Sequence, residues 1–265
     1  MKSQREKGEA FRALHEGDPF LIPNPWDAGA ARMLAGLGFE ALATTSSGFA
    51  FTLGRRDGSV GLDEVAAHIA ALDRATDLPV SADLENGYGP ALEHAARAIA
   101  RAGEAGAVGG SIEDWDRDDR RLYGLEEAAE RVAAAAEAAR AHDFPFALTA
   151  RAENFLHGNP DLDDTIARLR AYEEAGADVL YAPGLRTAEQ IDAICDAVSR
   201  PVNVLAFGAL GLSLGQIAEA GAQRISVGGG LTWTAANAAL EAAERMQAGE
   251  FSGLGSPGRI RDFLC

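Results

Sequence analysis

Three pairs of charged residues at short spacing carry the chemical signal of this sequence: Asp83 and Glu85, Glu113 and Asp114, Arg151 and Glu153. Each pair closes a short apolar run. Residues two apart on a strand leave the same face, so Asp83 and Glu85 project together, and the face that also holds Glu113 gathers three carboxylates. Acids crowded into a partly buried site repel one another and either take up protons or share a cation. Oxygen donors with no His or Cys beside them suit Mg2+ or Mn2+ and argue against zinc. The competing reading is a hairpin at Asn86-Gly87 with the acids in solvent. Residues 90–107 have helical spacing and supply no returning strand, which favours the cation.

Arg151 lies inside the apolar run 146–150 and must meet an anion there. A carboxylate such as Glu113 or Asp83, or a substrate oxygen, would serve. Gly228-Gly229-Gly230 could cradle a phosphate, but a close turn is the simpler use of three glycines. The charged run 114–121 reads as a solvated loop or a mobile lid. The histidines (His15, His68, His94, His142, His157) fall outside every expected strand, and only His157, after the fifth, comes near the same strand ends.

Elements that could bring these residues together recur along the chain. Apolar runs at 20–23, 41–46, 79–85, 108–114, 146–153, 179–183, 202–206 and 224–228 alternate with Ala/Glu/Arg-rich segments of helical spacing. Glu-Ala-Gly-Ala precedes three of the runs, at 104–107, 174–177 and 219–222, where glycine fits a helix C-cap. Eight buried strands, each followed by a helix, predict an α/β protein of the (β/α)8 TIM-barrel type. An open doubly wound sheet would alternate likewise, but no Gly-x-Gly-x-x-Gly follows the first strand. Active sites of such barrels stand at the C-terminal strand ends, where Asn24, Ser47, Asp83, Glu113, Arg151 and Asn203 all fall. No linker-like stretch interrupts the alternation, so 1–265 reads as one domain.

The chain has 24 Lys and Arg against 40 Asp and Glu, a formal charge of −16, which argues against nucleic-acid and anionic membrane partners. Two cysteines, Cys195 and Cys265, make no disulfide framework, and no signal peptide or membrane span is readable; a cytoplasmic setting is expected. Cys195 falls in an expected helix and suits a buried apolar role.

With these residues in place, the chain resembles the isocitrate lyase/phosphoenolpyruvate mutase superfamily. The matching words are Asn24-Pro25-Trp26-Asp27-Ala28, Thr45-Ser46-Ser47-Gly48, Arg56-Asp57, Asp83-Leu84-Glu85-Asn86-Gly87-Tyr88-Gly89, Ile112-Glu113-Asp114, Ala150-Arg151-Ala152-Glu153 and Pro201-Val202-Asn203-Val204. The resemblance implies a Mg2+ (or Mn2+) site for 2-oxo acids. It assigns Asp57, Asp83, Glu85 and Glu113 to the metal shell, some through water, with Asp57 and Glu113 also counted beside Arg151 as catalytic. Glu85 stands where many relatives have a second aspartate. Ser47, Gly48 and Phe49 would hold the substrate carboxylate, Asn203 would contact substrate, and Arg151 would face the oxyanion. Relatives also swap the last barrel helix between subunits, which implies a homodimer or homotetramer with 235–248 exchanged.

The departures narrow the chemistry. Isocitrate and methylisocitrate lyases carry a Lys-Lys/Arg-Cys-Gly-His loop after strand four, whereas residues 114–123 here hold no Cys and no His. Those relatives place a substrate-binding glutamate where this chain has Pro183, and the Lys and Asn of the phosphonopyruvate enzymes are absent from 114–124. What remains is cleavage, decarboxylation or hydrolysis of a 2-oxo (di)carboxylate. A silent 2-oxo acid-binding protein and a phosphate-binding barrel enzyme are the rival readings.

Overall fold

The computed structural model describes residues 2–207 and 210–264. The first half runs α1 (Gln4–Glu16), β1 (Phe20–Ile22), α2 (Ala28–Gly36), β2 (Leu42–Ala43), α3 (Ser46–Thr52), α4 (Leu62–Ala75), β3 (Val80–Asp83), α5 (Leu92–Glu104) and β4 (Gly109–Glu113). A short ribbon, β5 (Trp115–Asp116) and β6 (Arg121–Leu122), then interrupts the alternation. The chain continues through α6 (Leu125–Arg140), β7 (Ala147–Arg151), α7 (Leu162–Glu174), β8 (Val179–Tyr181), α8 (Ala188–Ala197), β9 (Val202–Leu205), α9 (Leu214–Glu219), β10 (Arg224–Ser226) and α10 (Gly230–Gln247). A 3-10 turn, Gly258–Phe263, ends it, and the Phe263 ring packs on Gly36, where a Cβ would lie 2.2 Å from that ring.

Eight strands form one all-parallel sheet in the order β1-β10-β9-β8-β7-β4-β3-β2. The two ends meet: Ala43 N donates to Pro23 O at 3.1 Å. Asn24 fastens the same seam, its amide donating to Thr44 O and its Oδ1 accepting from Val227 N, both at 3.0 Å. This is the expected barrel. The Glu-Ala-Gly-Ala glycines, Gly106, Gly176 and Gly221, all have φ between 92° and 108°, as a C-cap before a strand requires.

Helices pack on the barrel through small residues. Ala95, Ala98 and Ala102 of α5 and Ala128, Ala135 and Ala136 of α6 are buried, and side chains this short let the helices approach the sheet closely. Among the described residues no helix is long and apolar enough to cross a membrane. Cys195 is partly buried in α8, and burial pushes its thiol up to about 12, consistent with an inert apolar role; Cys265 lies outside the described residues.

Register fixes what faces what. Glu113 pairs with Arg151, Arg151 with Tyr181, Tyr181 with Asn203 and Asn203 with Arg224, so five polar side chains share one row across five strands. The strands tilt in such a barrel, so the row spirals from the C-terminal end of β4 to the N-terminal end of β10.

His68 in α4 stacks on Phe49 at 3.9 Å, and burial, partly offset by Asp27, brings its pKa down to about 4. The unfolded chain then binds one more proton than the folded one between about pH 4 and 6.5. This contribution to stability is present above 6.5 and lost as pH falls, at about 1.4 kcal/mol per unit. Urea titrations of a His68→Gln protein should show a shallower loss over that window; a slope equal to the parent's would show that His68 does not titrate there.

Candidate active site

Arg151 is the hub of the barrel mouth. Its Nη1 donates to Asp83 Oδ1 at 2.9 Å, its Nη2 reaches Glu153 Oε1 at 2.8 Å and Glu113 Oε2 at 3.3 Å, and its Nε donates to Glu153 at 2.9 Å. Both carboxylates considered from the sequence are partners, and Glu153 is a third. Burial pushes the Asp83 carboxyl up, but Arg151 and the Ser46 amide outweigh it and hold Asp83 below the usual range. Burial also raises Glu113, well above its ordinary value, because Glu153 and Asp83 lie close and Arg151 is shared with both.

Glu85 stands differently from its expected place. The strand stops at Asp83, and Glu85 lies beyond it with φ of 52°, followed by Gly87 at 86° and Tyr88 at 66°. No strand returns; α5 follows. The backbone therefore leaves the sheet, and Glu85 reaches the site from a left-handed turn rather than from a shared strand face. That turn is braced by Arg131, whose guanidinium donates to the carbonyls of Asn86, Gly89, Pro90 and Ala91. Burial pushes the Glu85 carboxyl up to about 8, against the pull of Arg117.

Arg117 is the residue that sequence reasoning missed. It rises from the ribbon, donates to Glu85 Oε2 at 2.9 Å and stands 3.7 Å from Glu113 Oε1. Gly58 makes room for it, since a Cβ there would fall 1.9 Å from the Arg117 Nη1. Residues 114–117 are thus packed into the mouth, whereas 118–121 are exposed, as a solvated loop would be. Asp114 is buried and accepts from Glu153 N at 2.8 Å, Arg168 at 3.0 Å and the Tyr172 hydroxyl at 2.5 Å. Trp115 stacks on His157 at 3.5 Å, and His157 Nε2 lies 3.6 Å from Glu153. The signal available in the sequence was the alternation of acids and arginines, which buried pairing and a solvated run share.

A cavity of about 160 Å³ opens above the row. Asp57, Asp83, Ser46, Ser47, Arg151, Tyr181, Pro183, Asn203, Arg224, Gly228 and Gly229 are among its walls. Ser47 and Gly48 sit in the first turn of α3, where Thr45 Oγ1 accepts from Gly48 N at 3.3 Å. The Phe49 ring turns away to His68. Gly228 has φ of 51°, and a Cβ on Gly229 would meet Ser47 Oγ at 2.7 Å, so the glycine run serves a close turn. A larger hollow of about 420 Å³ opens at the other end of the barrel against Phe144, Phe146 and Arg140, away from the strand ends that carry the acids.

Five carboxylates (Asp57, Asp83, Glu85, Glu113, Glu153) face two guanidiniums, Arg117 and Arg151, a deficit of positive charge that the upward shifts of Glu85 and Glu113 relieve. A divalent cation fits that deficit and that all-oxygen donor set. No group of three or more His, Cys, Asp or Glu among the described residues converges as a ready-made cage. Asp57 and Asp83 share the cavity, while Glu85 and Glu113 stand behind Arg117.

Fold and site together define a parallel α/β barrel with a charged pocket at the C-terminal ends of its strands. The chain belongs to the phosphoenolpyruvate phosphomutase family, whose sequence profile matches residues 11–247. It is 31% identical to a 2-methylisocitrate lyase of Halalkalibacterium halodurans over 84% of this chain and 76% of that protein. It is 32% identical to an oxaloacetate decarboxylase of a Bradyrhizobium species over 75% of this chain and 70% of that one. A crystal structure from Burkholderia cenocepacia, provisionally described as a lyase/mutase, superposes with a TM-score of 0.94 at 54% identity, covering 98% of this chain and 97% of the other. The resemblance read from the motifs is therefore a family membership.

Proposed function

We propose that this protein is a Mg2+-dependent enzyme that breaks a carbon–carbon bond in a 2-oxo acid. The observation that carries the reading is the cavity at the strand ends, walled by Asp57, Asp83 and Arg151, with Arg151 paired directly to Asp83. Asp57 and Asp83 would hold the cation, with Glu85 and Glu113 behind them. When bound, the cation supplies stabilisation for negative charge developing on the 2-oxo acid's carbonyl oxygen. Arg151 supplies a fixed guanidinium at the same wall, held in one orientation by three carboxylates. Ser47, on the cavity wall, would receive the substrate carboxylate at the first turn of α3, which Gly48 and Phe49 continue, and Asn203 would orient it. The membership in a family with named lyase and decarboxylase relatives supports the reaction class.

The test is turnover of a panel of 2-oxo and 2-hydroxy acids with Mg2+ or Mn2+, repeated in excess chelator. Activity lost in chelator and restored by the metal is the expected result; activity or binding unchanged in chelator would sink the metal assignment. Isocitrate and 2-methylisocitrate should be cleaved poorly, because the described residues 114–124 offer no thiol as acid and base. Release of glyoxylate or pyruvate from either at about 10 s−1 would overturn that expectation.

The assembly reading follows from α10. It is 18 residues long, yet only Thr232 of it is buried, while Leu240 is 57% exposed. An α-helix of this length with an uncovered apolar residue suits exchange onto a partner barrel. Light scattering should give a dimer or tetramer; a monomer at micromolar concentration would refute the exchange.

A further inference from the structure

Two arginines line the cavity, and they are held in opposite ways. Arg151 meets three carboxylates, all within 3.3 Å. Arg224 is 5% exposed on the inner side of β10, and none of its hydrogen-bond partners among the described residues is a carboxylate. Its Nε donates to Asn203 Oδ1 at 2.8 Å, its Nη2 donates to Thr149 Oγ1 at 2.9 Å, and its Nη1 stands 3.4 Å from His15 Nε2. Burial, and then the charge of Arg224, hold the His15 pKa down to about 3, so the imidazole is a neutral neighbour and compensates nothing.

A buried guanidinium without an acid can be satisfied by carbonyls, as Arg131 is by four of them. Arg224 has no such cradle. Its partners are an amide oxygen, a hydroxyl and an imidazole, and a buried charge so weakly matched is costly unless an anion joins it. The polar row from Glu113 through Arg151, Tyr181 and Asn203 descends to Arg224, and the cavity touches the lower residues of that row as well as the upper. Beside Arg224, the Asn203 amide donates to Ser226 Oγ at 3.0 Å, and both residues line the cavity. The mouth holds the acids and a saturated arginine; the floor holds the uncompensated cation.

We propose that Arg224, with Asn203 and Ser226, forms an anion subsite at the cavity floor that takes the second carboxylate of a short 2-oxo dicarboxylate. The proposal rests on the 2-oxo acid reading above and sharpens it from any 2-oxo acid to one with two negative ends. A mono-acid would leave Arg224 as it stands, buried and unmatched.

Calorimetric titration in the presence of Mg2+ tests this with two pairs of ligands: oxaloacetate against 2-oxobutanoate, and 2-oxoglutarate against 2-oxopentanoate. Within each pair a carboxylate replaces a methyl group at the far end. The parent protein should bind one dicarboxylate at least about tenfold more tightly than its methyl counterpart. Arg224→Met should erase that preference while changing methyl-acid affinity by less than roughly threefold, since a side chain of similar length fills the same space, although Asn203 Oδ1 and Thr149 Oγ1 lose their donor. The parent comparison needs no variant and stands if Arg224→Met does not fold. A parent that binds the methyl acids as tightly as the dicarboxylates, or a preference that survives in Arg224→Met, overturns the subsite alone. A parent that binds none of the four overturns the 2-oxo acid reading, and the subsite with it.

Discussion

Arg151→Met should lose about 3–5 kcal/mol of stability at pH 7 and show no measurable turnover. Removing the guanidinium leaves Asp83, Glu113 and Glu153 facing one another with no counter-charge from β7, and Glu153 is only 1% exposed. Such a loss alone would not separate a barrel strut from a catalytic group. Arg151→Lys separates them, because it keeps the charge and gives up the planar fork that reaches three carboxylates at once. If Arg151 acts on charge that develops during reaction, kcat should fall roughly 10²-fold or more with a smaller change in KM. A strut predicts the reverse, a lower Tm with kcat nearly intact. Both quantities are read on one purified variant, and undiminished turnover would remove Arg151 from the chemistry.

Asp114→Ala should be the next most damaging change, at about 3–5 kcal/mol, although Asp114 lines no cavity described above. Its carboxylate joins the Arg168 guanidinium, the Tyr172 hydroxyl and the Glu153 amide, so its loss leaves the Tyr172 hydroxyl and the Glu153 N–H without their acceptor and takes one of two carboxylates from Arg168. The urea midpoint should drop with the m-value unchanged. The emission of Trp115, the next residue, stacked on His157, should shift in the folded variant if the ribbon loosens. A penalty under about 1 kcal/mol would show that Arg168 finds Asp164, already 2.9 Å from its Nε, an adequate substitute.

The barrel was legible because its strands are buried on both faces and read as apolar runs closed by glycine caps, a pattern that needs no tertiary knowledge. Their ends were less legible. The run 79–85 gives no sign that the backbone turns left-handed at Glu85, because that conformation is imposed by Arg131 gripping the turn from α6. The run 41–46 likewise conceals that Ser46 begins a helix. Arg151 announced itself as a charge among apolar residues. Arg117 did not: its partners Glu85 and Glu113 come from other segments, and inside an acidic and basic stretch it looks like any solvated arginine. Arg224, the first residue of its strand, looks like a surface residue at the sheet's edge until the register places it inside the barrel.

Glu85 sets two demands on one position against each other. A side chain at φ of 52° costs about 1 kcal/mol relative to glycine, and its buried carboxyl adds to that cost. Glycine would relax the turn and discard the acid. Laboratory evolution that rewards heat resistance without scoring turnover would therefore be drawn to this codon early, and its hardier clones would arrive with an impaired mouth. A library screened on both properties should keep Glu85 and find its gains elsewhere on the surface, away from the mouth and from α10.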